Sequence, residues 1–495
     1  MLLLGYDIGS SSIKATAVDA ETGETVAFAQ SPGKELNIQA PKSGWAEQNP
    51  EVWWQHSKIV TAKLLESKQV SKEAIKAIGL SYQMHGLVLI DENRHVLRPS
   101  IIWCDGRAVD IGKNALNELG KEYSFNHLLN SPGNFTASKL KWVKMHEPDI
   151  YKRIYKFMLP GDYMAMKLSG RVQTTVSGLS EAILWDYKKH GLATELLELF
   201  GISKTLVPEV LTNFGEQSTL SKEAAGELGL TKGTPITYRA GDQPNNALSL
   251  NVLDPGEVAS TAGTSGVIYG VTDEPAFDEQ SRVNTFVHVN HDENKNRYGV
   301  LLCINGTGIQ NSWLRNEMLA EKYDYQAMNK LAGEVPVGSD GLVVIPFGNG
   351  PERVLRDNNT GAHFRNINFN RHQKGHLIRA AQEGIAYSLN YGLQRMKEMG
   401  MEIKTIRAGA SNMYLSPVFR NALCNTSNVP IELFDTSGAQ GAAIGAGIGL
   451  NIFESREEAF KGLKKTAVIE PEAELQEKHN DAYQQWKSEL EEIMD

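Results

Sequence analysis

Twice along this chain a strand-forming run breaks into a short loop of glycine and hydroxyl side chains and then resumes as a strand. The first loop, Gly9-Ser10-Ser11-Ser12, lies between Leu2–Asp7 and Ile13–Asp19, and Glu21-Thr22-Gly23 closes the next turn. The second, Ala262-Gly263-Thr264-Ser265-Gly266, leads into Val267–Val271. A single turn of this kind is an ordinary hairpin. Repeated in each half of the chain, the pair predicts two related folds, each presenting a loop whose open backbone and hydroxyls suit phosphate oxygens. The length, 495 residues, agrees, because single cores stop growing at roughly 250 to 300 residues. A cleft between the two units is then available to a ligand.

Apolar spacing predicts helices over 50–67, with Pro50 at a first helical position, and over 138–145, 162–168, 376–399 and 417–425. A small-residue helix starts near Gly438, and its Gly445-Gly449 spacing allows close packing. Strands are predicted over 75–81, 403–408 and 430–434, with a hairpin joining 87–90 to 96–97 across Asp91-Glu92-Asn93. Residues 178–186 fit no period, and 240–246 reads as a turn. The alternation is α/β throughout.

Several function classes are excluded. Lys and Arg number 50 against 59 Asp and Glu, a net charge of −9, which is the wrong sign for a protein that tracks nucleic-acid phosphates. Three cysteines, Cys104, Cys303 and Cys424, form neither a zinc pattern nor a disulfide framework and fit a reducing cytosol. The start, Met1-Leu2-Leu3-Leu4-Gly5, has no basic segment before it, so a secretory leader is not expected, and no apolar run approaches the roughly 20 residues of a membrane span. The 12 histidines contain no HExxH pair. GxxxxGK[ST], the HRD and DFG pair, and GxSxG are also missing, which leaves an actin-like architecture among phosphoryl-transfer folds.

Candidate site residues fall in loops. Gly9, Ser10, Ser11 and Lys14 form a phosphate neighbourhood, with Asp7 facing the magnesium ion that accompanies ATP, and Gly263 with Thr264 makes a second clamp. Gly409-Ala410-Ser411-Asn412 is suited to receiving adenosine. In Gly241-Asp242-Gln243-Pro244-Asn245, Asp242 can accept a hydroxyl proton while Gln243 and Asn245 orient hydroxyls; an ordinary Asx turn is the alternative. The loop Gln83-Met84-His85-Gly86 offers a histidine to a polyol, and Trp103 is the tryptophan expected beside it.

In combination these motifs resemble the FGGY carbohydrate kinases, from Gly5-Tyr6-Asp7-Ile8-Gly9 to Gly441-Ala442-Ala443-Ile444-Gly445. Phe135-Thr136-Ala137-Ser138-Lys139-Leu140-Lys141-Trp142 is similar to the family's N-domain signature and Gly409 through Ala443 to its C-domain signature, although Asn134 and Gly409-Ala410-Ser411 depart from the usual pattern. Gln83-Met84-His85-Gly86-Leu87 and Gly44-Trp45-Ala46-Glu47-Gln48 are most similar to the members acting on xylulose. The resemblance implies two actin-like, ribonuclease H-like domains. Residues 1–250 would bind the sugar and hold the base, and 251–495 would bind nucleotide. It implies Asp242 as catalytic base, Met84, His85 and Gln243 at the sugar, Asp7 near the metal, and Thr264, Gly306, Gln310, Gly409 and Asn412 at ATP. The expected reaction is phosphorylation of D-xylulose by ATP with Mg2+ in the cytosol, with no nucleic-acid or membrane partner and with a homodimer compatible. Ribulose or gluconate are the next substrates, and an actin-like ATPase without a sugar is the reading from another class.

Overall fold

A computed structural model describes all 495 residues. Two sheets organise it. The first has six strands: β1 (Leu2–Ile8), β2 (Ile13–Asp19), β3 (Thr25–Ser31), β4 (Ile75–Tyr82), β5 (Phe214–Thr219) and β6 (Pro235–Gly241), in the order β5-β6-β4-β1-β2-β3. The second has seven: β7 (Glu257–Ala262), β8 (Gly266–Thr272), β9 (Asn284–Val287), β10 (Tyr298–Ile304), β11 (Thr405–Gly409), β12 (Ile431–Asp435) and β13 (Lys464–Ile469), in the order β9-β10-β8-β7-β11-β12-β13.

Both sheets are wired alike. In the first, β1 and β2 and then β2 and β3 are antiparallel, while β1 runs parallel to β4 and β4 to β6. In the second, β7 and β8 and then β8 and β10 are antiparallel, while β7 runs parallel to β11 and β11 to β12. The two small-residue loops therefore join equivalent antiparallel pairs, which gives the sequence echo its physical basis.

Four helices position the site: α1 (Pro50–Glu66), α2 (Thr136–His146), α3 (Asp242–Ser249) and α4 (Gly438–Gly449). α1 is capped by Asn49, whose side chain accepts from Glu51 N–H, and it buries Trp53 and Trp54 beside the first sheet. α4 follows a strand of the second sheet yet lies on the first. A Cβ at Gly5 would stand 1.9 Å from the Ala439 carbonyl oxygen, and one at Gly79 would stand 2.0 Å from that of Ala442. On the helix side, a Cβ at Gly445 would meet the Tyr238 ring at 2.6 Å, and one at Gly449 the Thr237 carbonyl at 2.0 Å. Backbone touches backbone here, so only hydrogen fits.

The predicted helices form with ends shifted by a few residues, for example Lys374–Glu398 and Pro417–Ser427. One local reading is extended and one is corrected. The expected hairpin closes through one antiparallel bridge, Ile90 to Val96, with Leu97 N–H donating to the Leu89 carbonyl at 2.9 Å, and Val88–Ile90 pairs in addition with Lys156–Met158. Residues 240–246 are not a turn: β6 ends at Gly241 and α3 begins at Asp242, with Pro244 in the first turn, where no helical N–H partner is lost.

Gly79→Val is expected to destabilise the protein by about 3 kcal/mol or more through overpacking against α4. Gly226→Ala, with open space around it in the helix Lys222–Leu228, should be neutral or stabilising. Thermal melting of the two variants checks this, and equal midpoints would contradict the packing account.

Candidate active site

The loop ends of both sheets face a cleft of about 540 Å³ that collects residues from both halves of the chain. Asp7, at the end of β1, accepts from the Ser81 hydroxyl at 3.0 Å and has Lys14 Nζ at 4.0 Å. Gly9, Ser10, Ser11 and Lys14 line the same cleft, as do Gln83, Met84, His85, Trp103, Asp242 and Gln243. Ten residues expected near sugar or phosphate thus meet with Asp7 in one space.

Asp242 caps the end of β6. Burial, and then the nearby Asp7 carboxylate, push its pKa up to about 7, so a carboxylate there is a competent proton acceptor near neutrality. Gly241 leaves room for this arrangement, since a Cβ on it would sit 2.5 Å from Met84 Cγ and 2.6 Å from Glu181 Oε2. Glu181 is buried, and burial first, then Asp162 and Asp242, hold its carboxyl well above the usual range. Arg239, also buried, faces Asp162 at 3.4 Å, so the floor beneath Asp242 is a cluster of ionisable groups inside the core.

The His85 side of the cleft is held from below. His85 adopts φ +60°, a left-handed conformation that is uncommon for a residue with a side chain. Its Nδ1 donates to the Glu181 carbonyl at 3.0 Å, and its ring packs edge-on against Phe135 with centroids 4.8 Å apart. The buried ammonium of Lys139, on α2, donates to the carbonyls of His85 at 2.8 Å and Ile102 at 3.0 Å. One cation therefore fastens both the His85 loop and the loop that carries Trp103. Trp103 stays 45% exposed at the mouth of the cleft, its Nε1 donating to Ser10 Oγ at 3.2 Å.

Gly263, Thr264 and Asn412 line a second cavity of about 430 Å³ on the β7–β8 side, with Tyr325 and Asn329. The loop is pinned there: Gly308 N–H donates to the Gly263 carbonyl at 2.9 Å and Ile309 N–H to the Thr264 carbonyl at 3.1 Å. Ser265, one residue on, faces the first cleft, so this loop stands between the two spaces. Gly306, Gln310 and Gly409 line neither cavity. Gly306 packs against the Pro346 carbonyl, where a Cβ would come within 1.8 Å, Gln310 is buried, and Gly409 ends β11 beside Ser411. Asn245, expected to orient hydroxyls, does not line the cleft: it is fully buried and donates to the Gly438 carbonyl at 2.8 Å, fastening α3 to α4.

Sequence reasoning missed the contribution of the second half to the first cleft, chiefly Asn284, Cys303, Asn305 and Arg353. Arg353 follows Gly348-Asn349-Gly350-Pro351, and a charged residue closing such a loop was the available signal.

Family models match almost the whole chain. The N-terminal domain model of the FGGY family of carbohydrate kinases covers residues 2–249, and the C-terminal domain model covers 258–450. The chain belongs to this FGGY family. It is a sugar kinase, and FGGY kinases use ATP as phosphate donor. Among relatives, it is 28% identical over 498 residues to a xylulose kinase of Bacillus subtilis, covering 98% of this chain and 96% of that one. With a xylulose kinase of Staphylococcus xylosus it shares 30% identity over 469 residues, covering 92% and 93%. A gluconate kinase structure from Lactobacillus acidophilus superposes with a TM-score of 0.90 at 22% identity, covering 100% and 98%, and so shares the fold. No helix of this FGGY kinase is long and apolar enough to cross a membrane.

The Asp242 environment carries a sign. Its folded-state pKa, about 7, lies above the ordinary 3.8, so the folded protein favours the protonated form, and stability is lost as pH rises between those values. Asp242→Asn is therefore expected to raise the melting temperature at pH 8 and to change it little at pH 4. A variant that melts lower than wild type at pH 8 would contradict this electrostatic picture.

Proposed function

We propose that this FGGY kinase transfers the γ-phosphoryl group of ATP to the terminal hydroxyl of D-xylulose, giving D-xylulose 5-phosphate and ADP. The single observation that carries the reading is Asp242: a carboxylate poised near pH 7, in a cleft shared with a histidine-bearing polyol loop and a glycine-serine phosphate loop. As the sugar O5 bonds to the γ-phosphorus, the bond from that phosphorus to the β,γ-bridging oxygen breaks, and the O5 proton passes to Asp242. The bridging oxygen leaves with ADP.

His85, Met84 and Gln243 border the sugar in this reading, with Gln83 and Trp103 at its edge. The hydroxyls and N–H groups of Ser10 and Ser11, with Lys14, meet the transferring phosphoryl group beside the bare backbone of Gly9, whose own N–H is held by the Ser12 carbonyl, while Gly263, Thr264 and Asn412 receive the nucleotide from the other side. Gly306, Gln310 and Gly409 support that nucleotide wall from outside it. Asp7 would hold Mg2+, which arrives with ATP and screens phosphate charge. The donor set fits, because this carboxylate lies beside the phosphate loop and no group of three or more His, Cys, Asp or Glu side chains is arranged to retain an ion alone. Residues 1–250 supply the sugar side and base, and 251–495 supply most of the nucleotide side.

Xylulose is preferred as acceptor because the His85 loop and the curated relatives point the same way. A sugar acid such as gluconate is the second reading, favoured by the guanidinium of Arg353 in the cleft. A coupled ADP-release assay on xylulose, ribulose and gluconate is expected to give the highest kcat/KM with xylulose, and Asp242→Asn should lower kcat by roughly 100-fold to 10,000-fold. Turnover of gluconate or ribulose but not xylulose would overturn the acceptor assignment. Near wild-type kcat in Asp242→Asn would remove the base.

A further inference from the structure

Arg353 enters the cleft from the second half of the chain without a partner of its own. It begins a short 3-10 turn, Arg353–Leu355, whose anchor is the preceding Glu352. That carboxylate is fully buried and accepts the N–H groups of Asn305 at 2.9 Å and Gly306 at 3.2 Å, fixing the turn against the end of β10. The Arg353 side chain forms no salt bridge within 4.0 Å, whereas the neighbouring cation of the cleft, Lys14, faces Asp7. Its guanidinium lies 5.7 Å from the centre of the Phe135 ring, and that ring packs on His85. A planar fork of five donors is thus held over an aromatic face, on the His85 side of the cleft, with nothing in the protein to receive its hydrogens.

We infer that Arg353 is a sugar-binding and specificity-determining residue that donates to the oxygens at the C1 end of the acceptor, the end remote from the hydroxyl that is phosphorylated. The inference rests on the reading of this cleft as the sugar site. Its logic is positional. Asp242, Asp7 and the Gly9–Ser12 loop mark the end where phosphoryl transfer takes place, and His85 with Phe135 marks the other. In a 2-ketose that far end carries the carbonyl and the C1 hydroxyl; in an aldonate it carries a carboxylate. Both present oxygen acceptors to a guanidinium, and the carboxylate accepts two parallel bonds. Because Arg353 comes from the second half while His85 and Phe135 come from the first, the acceptor itself would bridge the two halves.

The test compares wild type with Arg353→Met and Arg353→Lys on xylulose, on 1-deoxyxylulose, which lacks the C1 hydroxyl, and on gluconate. Arg353→Met is expected to raise KM for xylulose about tenfold or more and to leave KM for ATP within about twofold, with Arg353→Lys falling between. The wild-type preference for xylulose over 1-deoxyxylulose should shrink at least about threefold in Arg353→Met, because the group that reads the missing hydroxyl is gone. Unchanged KM for the sugar would overturn the inference, and so would an equal rise for sugar and ATP with the 1-deoxyxylulose preference intact. If wild type turns over gluconate and not xylulose, the acceptor reading alone fails. Arg353 is then tested on gluconate, where Arg353→Met should cost about 100-fold in KM and an unchanged KM would sink it.

Discussion

Everything at this site depends on one close approach: the backbone of α4 lying directly on the backbone of β1 and β4. With glycine at positions 5 and 79, helix carbonyls come as near to the sheet as hydrogen atoms allow. The helix belongs by chain order to the second sheet, so this contact joins the halves. Its first residue, Gly438, stands so close to Asp7 that a Cβ there would be 2.9 Å from the carboxylate, and its carbonyl takes the Asn245 bond from α3. The ends of β1, β6 and α4 are thereby drawn together, and Asp7 and Asp242 with them.

That convergence explains the electrostatics. Two carboxylates at the ends of β1 and β6, which flank β4, over a floor that already contains Glu181, Asp162 and Arg239, cannot all ionise at ordinary pH. Asp242 bears part of the cost as a raised pKa, and the same burial that makes it a poor acid makes it a useful base. Charge is offset on the other side of the cleft by cations with distinct tasks. Lys139 is spent on backbone carbonyls and Lys14 faces Asp7, whereas Arg353 has no protein acceptor.

What could be read in the sequence was local. The two small-residue loops, the helix at 50–67 and the glycine spacing near 445 needed only neighbours in the chain, and the shared wiring of the sheets accounts for the echo. Nonlocal partners stayed hidden. The hairpin across Asp91 forms, but Val88–Ile90 also pairs with Lys156–Met158, and no periodicity in 87–97 announces a partner so far along the chain. Asp242 is legible as a site residue although its surroundings read as a turn, because a proline in a first helical turn has the same local signature as one in a loop. Glu181 fell in a segment with no period, and Arg353 in a glycine-proline loop; both matter through what the fold brings beside them. The glycine stripe announced close packing, but not that the partner of Gly445 and Gly449 is β6, a strand that lies far earlier in the chain.

The cleft beside Asp242 and the cavity beside Asn412 are separate spaces divided by the loop at Gly263–Ser265, and phosphoryl transfer between a sugar proposed for the first and a nucleotide proposed for the second requires them to become one. The halves are therefore expected to close about the α4 contact when both ligands are bound, which also excludes water as a competing acceptor. Small-angle X-ray scattering of the free enzyme and of the enzyme saturated with xylulose and a non-hydrolysable ATP analogue measures this directly. A smaller radius of gyration is expected with both ligands than with either alone. A radius that does not fall when both are saturating would contradict it and mean that the two halves already stand in their catalytic relation.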